Sequence, residues 1–109
     1  MIVLKTPQEI EQIQKSAQIA KTVMDRTLGW IHPGLTTLKV DKFINSQIKA
    51  FHAKPSFFGV GGYKFSSCLS VNSEIVHGMP SKRVIRDGDI VSIDLGTQLN
   101  GWNSDMCRT

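Results

Sequence analysis

The sequence predicts an α+β domain in which two helices pack on an antiparallel sheet, and three observations carry that prediction. The first half of the chain repeats apolar residues at three- and four-residue steps, the period of an amphipathic helix. After Phe57 that period disappears; glycines stand at 59, 61 and 62, and short extended runs alternate with turn residues. Near the end, Asn100-Gly101 separates two apolar-rich runs. This is the strongest short-range hairpin signal, because both turn positions need φ > 0 and these two residues tolerate it.

Thr6-Pro7-Gln8-Glu9 opens the first helix with a Thr N-cap, a Pro at the first helical position, and a Glu three residues after the cap to close a capping box. Ile10, Ile13, Ala17, Ala20, Met24 and Leu28 supply its apolar stripe, and the helix is expected to end before His32-Pro33-Gly34. A second helix follows Thr37, with Val40, Phe43, Ile44, Ile48 and Phe51 on one stripe, and stops before Lys54-Pro55. Cys68-Leu-Ser-Val71 reads as a strand, Asn72-Ser73 as a turn, and Glu74-Ile-Val-His77 as an extended piece closed by Gly78-Met79-Pro80. Arg86-Asp87-Gly88 is another turn, and Asp89 to Gln98 forms the first arm of the hairpin.

The chain of 109 residues fits one domain, 1–109, able to bury roughly 60–70% of its unfolded surface. Hydrophobic residues are 40% and charged residues 20%, which carries no disorder signature. No apolar run is long enough to span a membrane, and Met1-Ile-Val-Leu-Lys-Thr-Pro7 turns polar too soon for a signal peptide. A cytoplasmic protein with no membrane partner is the expectation. Cys68 and Cys107 lack CxxC spacing and read as reduced thiols. The net charge of +4 is scattered apart from Lys82-Arg83 and Arg86, so a nucleic-acid face has little support.

The hairpin holds the most informative residues. With a two-residue loop, partners sum to 201: Leu99 faces Trp102, Gly96 faces Asp105, and Asp94 faces Cys107. Asp94 and Asp105 then lie on one face as diagonal neighbours, their backbones roughly 7–8 Å apart. Like charges held that close repel unless a cation sits between them, and carboxylate oxygens suit hard or borderline divalent metals. The pair is therefore a candidate half of a metal site. The competing structural reading makes Asp94 a solvent residue on an edge strand and Asp105 the closing residue of a loop.

Three segments, Ser70-Val-Asn-Ser-Glu-Ile-Val-His77-Gly-Met-Pro-Ser81, Asp87-Gly-Asp-Ile-Val-Ser-Ile-Asp94 and Asn100-Gly-Trp-Asn-Ser-Asp105, together resemble the type I methionine aminopeptidase pattern, within the "pita-bread" metallopeptidases. The resemblance runs from Thr6 to Thr109 and implies half of a pita-bread fold. It implies a cytosolic enzyme that removes the initiator methionine from nascent chains, with Asp94 chelating one divalent ion and Asp105 bridging two; Co, Mn, Fe and Zn are all candidates. His77 matches the family histidine that touches substrate near the scissile amide, although a histidine merely hydrogen-bonded at a strand end is the alternative. Tyr63 and Cys68 fall where the family lines its methionine pocket, with Phe57 in the same stretch; all three could equally fill core space. His32 and His52 read as surface residues.

The chain departs from the type I pattern in two places. Val60-Gly61-Gly62-Tyr63-Lys64 stands where the family has Tyr-His-Gly-Tyr-Pro, which implies a looser side-chain pocket. Asp105-Met-Cys-Arg-Thr109 leans toward the Xaa-Pro peptidase relatives, whose hairpin also carries two aspartates. The resemblance further implies one His and two Glu ligands supplied by a second half of the fold, and neither residue type follows Asp105 here. Two roles follow as expectations: the N-terminal half of a complete enzyme, or a non-catalytic module binding nascent chains, ribosome or nucleic acid. By themselves the 109 residues are expected to be inactive and to self-associate.

Overall fold

A computed structural model describes residues 6–56, 65–72, 79–99 and 102–108. Among these residues two helices, α1 (Pro7–Trp30) and α2 (Thr37–Ala50), precede four strands, β1 (Lys54–Pro55), β2 (Ser67–Val71), β3 (Val91–Leu99) and β4 (Trp102–Arg108). The α+β architecture expected from the sequence is present.

Both helices begin where their caps direct. Thr6 accepts the amide of Glu9 through Oγ1 at 3.1 Å while Glu9 Oε1 accepts the Thr6 amide at 3.3 Å, so two amides left over at the helix start are satisfied reciprocally. Thr36 Oγ1 likewise accepts the amide of Lys39 at 3.2 Å. Between the helices, Gly34 adopts φ +100°, a left-handed conformation that glycine takes without steric cost. Trp30 and Phe43 stack at 4.1 Å with planes 6° apart, and the Arg26 guanidinium lies 5.0 Å from the Phe51 ring while bonding Gln47 at 2.9 Å. These contacts close the α1–α2 seam.

The buried face of α1 differs from the expected stripe. Ser16, Ala20, Val23, Met24 and Thr27 are buried, whereas Ile10 and Leu28 are 45% and 39% exposed. A hydrogen-bonded clasp accounts for the rotation. Ser16 Oγ donates to the Thr97 carbonyl at 3.2 Å, and Thr97 Oγ1 donates back to the Ser16 carbonyl at 2.8 Å, which brings a polar helix position against the sheet. In α2 the expected Val40, Ile44 and Ile48 are buried, together with Thr37 and Asp41, while Phe43 and Phe51 are half-buried.

All strands are antiparallel and β3 is the spine. It pairs with β4 over residues 93–99, with β2 over 91–95 and with β1 over 97–98. Because β4 occupies one edge continuously, β1 and β2 share the other. β1 is an addition to the expected elements: a two-residue pairing continued by the Ser56 amide, which donates to the Gly96 carbonyl at 3.1 Å. The hairpin register matches the expectation, with Leu99 opposite Trp102, Gly96 opposite Asp105 and Asp94 opposite Cys107. Alternation does the rest. Ile93, Leu95 and Thr97 are buried on the helix side, whereas Asp94 is half-buried and faces the other way.

Turn residues hold β2 and β3 at one end. Asn72, at φ +56°, donates its amide to the Ile90 carbonyl at 2.7 Å and accepts the Ile90 amide through Oδ1 at 2.9 Å. Its Nδ2 donates to Asp89 Oδ1 at 3.0 Å. The Arg86 amide and the Asn72 side chain hold the Asp89 carboxyl below its ordinary range. The expected turn at 86–88 is present, with Gly88 at φ +86°.

Two expected outcomes follow from this packing. Leu95 is fully buried, so Leu95→Ala should lower unfolding free energy by about 2–5 kcal/mol. Urea denaturation measures this, and a loss under about 1 kcal/mol would mean that Leu95 is not packed as described. Cys68 and Cys107 stand opposite Asp94 on its two flanks, two strand spacings apart, or about 9.4–9.8 Å between backbones. That exceeds the reach of a disulfide. Mild oxidation should therefore leave no intramolecular Cys68–Cys107 bond by non-reducing mass spectrometry, and finding one would contradict the register.

Candidate functional site

The sheet has one covered and one open face, and the candidate residues lie on the open one. Helices α1 and α2 lie against the face formed by Ile93, Leu95, Leu69 and Val71. Opposite these, β2 presents Cys68 and Ser70, β3 presents Ser92, Asp94, Gly96 and Gln98, and β4 presents Asp105 and Cys107. Asp94 and Asp105 occupy neighbouring strands one pleat apart, a diagonal pair roughly 7–8 Å between backbones.

Three residues form a row through Asp94: Cys68 on β2, Asp94 on β3, Cys107 on β4. A second row runs from Ser56 across Gly96 to Asp105, where Ser56 Oγ donates to Asp105 Oδ1 at 3.4 Å. Gly96 places no side chain between the two. Ser56 was not among the residues expected from sequence, and no local pattern marks it, since the two-residue β1 has neither periodicity nor length.

Thiols, hydroxyls and an amide share the open-face strand positions with the aspartates, and the exposed Lys54 of β1, opposite Gln98, adds a cationic side chain to that face. The carboxylates bring to this surface oxygen donors that match divalent cations. Two carboxylates in diagonal register fit part of a metal site. Among the described residues no cluster of three or more ligating side chains forms.

Three of the site residues expected from sequence, His77, Tyr63 and Phe57, lie outside the described residues. Cys68 is half-buried and is placed directly beside Asp94. His32 and His52 are exposed, as expected for surface residues. A concavity of about 510 Å³ opens between the end of α1 and the start of β3, lined by Leu28, Ile31, Ile85, Ile90 and Val91 among others. It lies on the helix side of the sheet, so the two aspartates do not line it. No described helix is long and apolar enough to cross a membrane.

Comparison with known proteins identifies relatives that share this fold. Over its whole length the chain is 40% identical to a methionine aminopeptidase of Treponema pallidum, of which it covers 42%. A crystal structure of the Thermotoga maritima methionine aminopeptidase matches 98% of the chain with a TM-score of 0.92 at 40% identity, over 43% of that protein. The prolidase of Pyrococcus furiosus matches 97% of the chain with a TM-score of 0.84 at 31% identity, over 30% of its length. The chain thus spans less than half the length of these relatives, and the architecture is that of the pita-bread proteins. A model of metallopeptidase family M24 matches residues 11–109, and the chain belongs to that family.

Proposed function

We propose that this chain is the N-terminal half of a metalloaminopeptidase that removes the initiator methionine from nascent proteins. The observation that carries this reading is the diagonal Asp94–Asp105 pair on the uncovered face of the sheet, in a chain whose relatives are methionine aminopeptidases. Residues 1–109 then form one domain half, and the second half supplies the remaining ligands in cis. The reaction takes place in the cytoplasm, on N-terminal methionine presented by nascent peptides at the ribosome.

In this reading Asp94 and Asp105 would hold divalent ions, which would supply a nucleophile at neutral pH and polarise the scissile carbonyl. By resemblance Asp105 would be the shared ligand and Asp94 the ligand to one ion. Ser56 Oγ, bonded to Asp105 Oδ1, restrains the carboxylate rotamer and so orients its second oxygen. His77 donates a hydrogen bond near the scissile amide. Tyr63, Cys68 and Phe57 line the pocket for the methionine side chain, where a sulfur and aromatic rings suit a thioether.

An Xaa-Pro peptidase is the second reading, favoured by the fold shared with the prolidase. It ranks below the first because the identity and TM-score are higher to the methionine aminopeptidase. Hydrolysis of Met-Ala-Ser against an Xaa-Pro dipeptide by the full polypeptide carrying this segment separates the two.

In that polypeptide, Asp105→Asn should abolish turnover with the fold retained, and near-normal hydrolysis would refute the metal assignment. His77→Ala should lower kcat about 10²–10³-fold with metal content preserved, and loss of metal would assign His77 a different role. The 109 residues alone should bind Mn²⁺ or Co²⁺ weakly, self-associate, and leave methionyl peptides uncut. Calorimetry with sedimentation velocity tests this, and a monomer binding two ions tightly and cleaving the peptide would overturn it.

A further inference from the structure

Asp41 is a buried carboxylate, 6% exposed, that the proposed chemistry leaves unused. It sits on the inner face of α2 and reaches the sheet. One oxygen, Oδ1, accepts both the Ser66 amide at 2.9 Å and Ser67 Oγ at 2.7 Å. Burial pushes its pKa up, and the bonds from Ser67 and Ser66 pull it back toward the ordinary carboxylate range. A carboxylate in such a place is costly unless it is hydrogen-bonded, so these contacts are what make it tolerable there.

The two donors stand where the chain enters β2, immediately before Cys68. Ser67 is fully buried toward the helices, and strand alternation then turns Cys68 outward, opposite Asp94. The apolar pattern alone does not secure that placement. On the inner side β2 offers Leu69 and Val71, and a slide of two residues along β3 keeps both inward while moving Leu69 from Ile93 to Val91 or Leu95. Cys68 would travel about 6.6–6.8 Å, to stand opposite Ser92 or Gly96. Asn72, bonded twice to Ile90, pins the far end of β2. Asp41 is the corresponding anchor at the near end.

We propose that Asp41 is a positioning residue for substrate selectivity: by clasping Ser66 and Ser67 it fixes the point at which β2 begins and holds Cys68 beside Asp94. The selectivity role rests on the aminopeptidase reading above; the anchoring of β2 does not.

The test uses the full polypeptide carrying this segment. Asp41→Ala should speed amide exchange at Ser66, Ser67 and Cys68 while Val71 and Asn72 keep their protection. It should also lower the ratio of kcat/KM for methionyl over leucyl peptides about tenfold, with divalent-ion affinity unchanged. Asp41→Asn keeps an Oδ1 acceptor and should restore both readouts. Ser67→Ala removes the hydroxyl's bond and leaves the backbone ones, and its intermediate effect keeps the question answerable if Asp41→Ala fails to fold. Exchange that rises evenly along β2 through Asn72, or a Met/Leu ratio that is unchanged in both Asp41→Ala and Ser67→Ala, would overturn the proposal. Failure of the unmodified protein to cut either peptide would instead remove the aminopeptidase reading, and the exchange pattern would still decide whether Asp41 anchors β2.

Discussion

The double allegiance of β3 is the constraint on which the rest of the structure depends. Its odd-numbered residues Ile93, Leu95 and Thr97 are buried beneath the helices, and its even-numbered residues Asp94 and Gly96 belong to the opposite face. Both of its edges are paired, so it cannot rotate to serve one layer without disturbing the other. A one-residue slip would drive a carboxylate under α1 and expose isoleucine and leucine, losing on both sides of the sheet. Hydrophobic burial on one face thereby aims two carboxylates on the other.

Directional bonds supply what burial lacks. Apolar contact fixes which face turns inward but is tolerant of sliding, whereas a buried hydroxyl or carboxylate is satisfied in one register. Ser16 and Thr97 set the height of α1 over β3, Asp41 meets the start of β2, and Asn72 meets the start of β3. Among the described residues no buried side-chain nitrogen or oxygen lacks a partner. The polar groups inside this small core act as its alignment marks.

The same backbone is shared with a methionine aminopeptidase and with a prolidase, so the sheet and hairpin by themselves do not choose a substrate. Within the proposed function, chemistry and selectivity are separable. The aspartates sit on the spine and its hairpin partner, while Tyr63, Phe57 and His77 lie outside the described residues. Cys68 stands where the two meet, at the second residue of β2 and directly beside Asp94.

What the sequence by itself determined is local. The capping box at Thr6, the breaks after both helices, and the two-residue hairpin each involve residues within a few positions of one another, and their partners can be counted off along the chain. The placement of Asp94 and Asp105 on one face followed from that count and from the period of a strand. Only the tertiary structure decided that Ser16 is buried while Ile10 and Leu28 are not, that a two-residue β1 extends the sheet, that Ser56 touches Asp105, and that Asp41 holds the entry to β2. These contacts join residues 81, 49 and 25 positions apart for Ser16–Thr97, Ser56–Asp105 and Asp41–Ser66. Hydrogen bonds across such separations leave no periodic trace in the chain, because the geometry that makes them exists only after the helices have settled on the sheet.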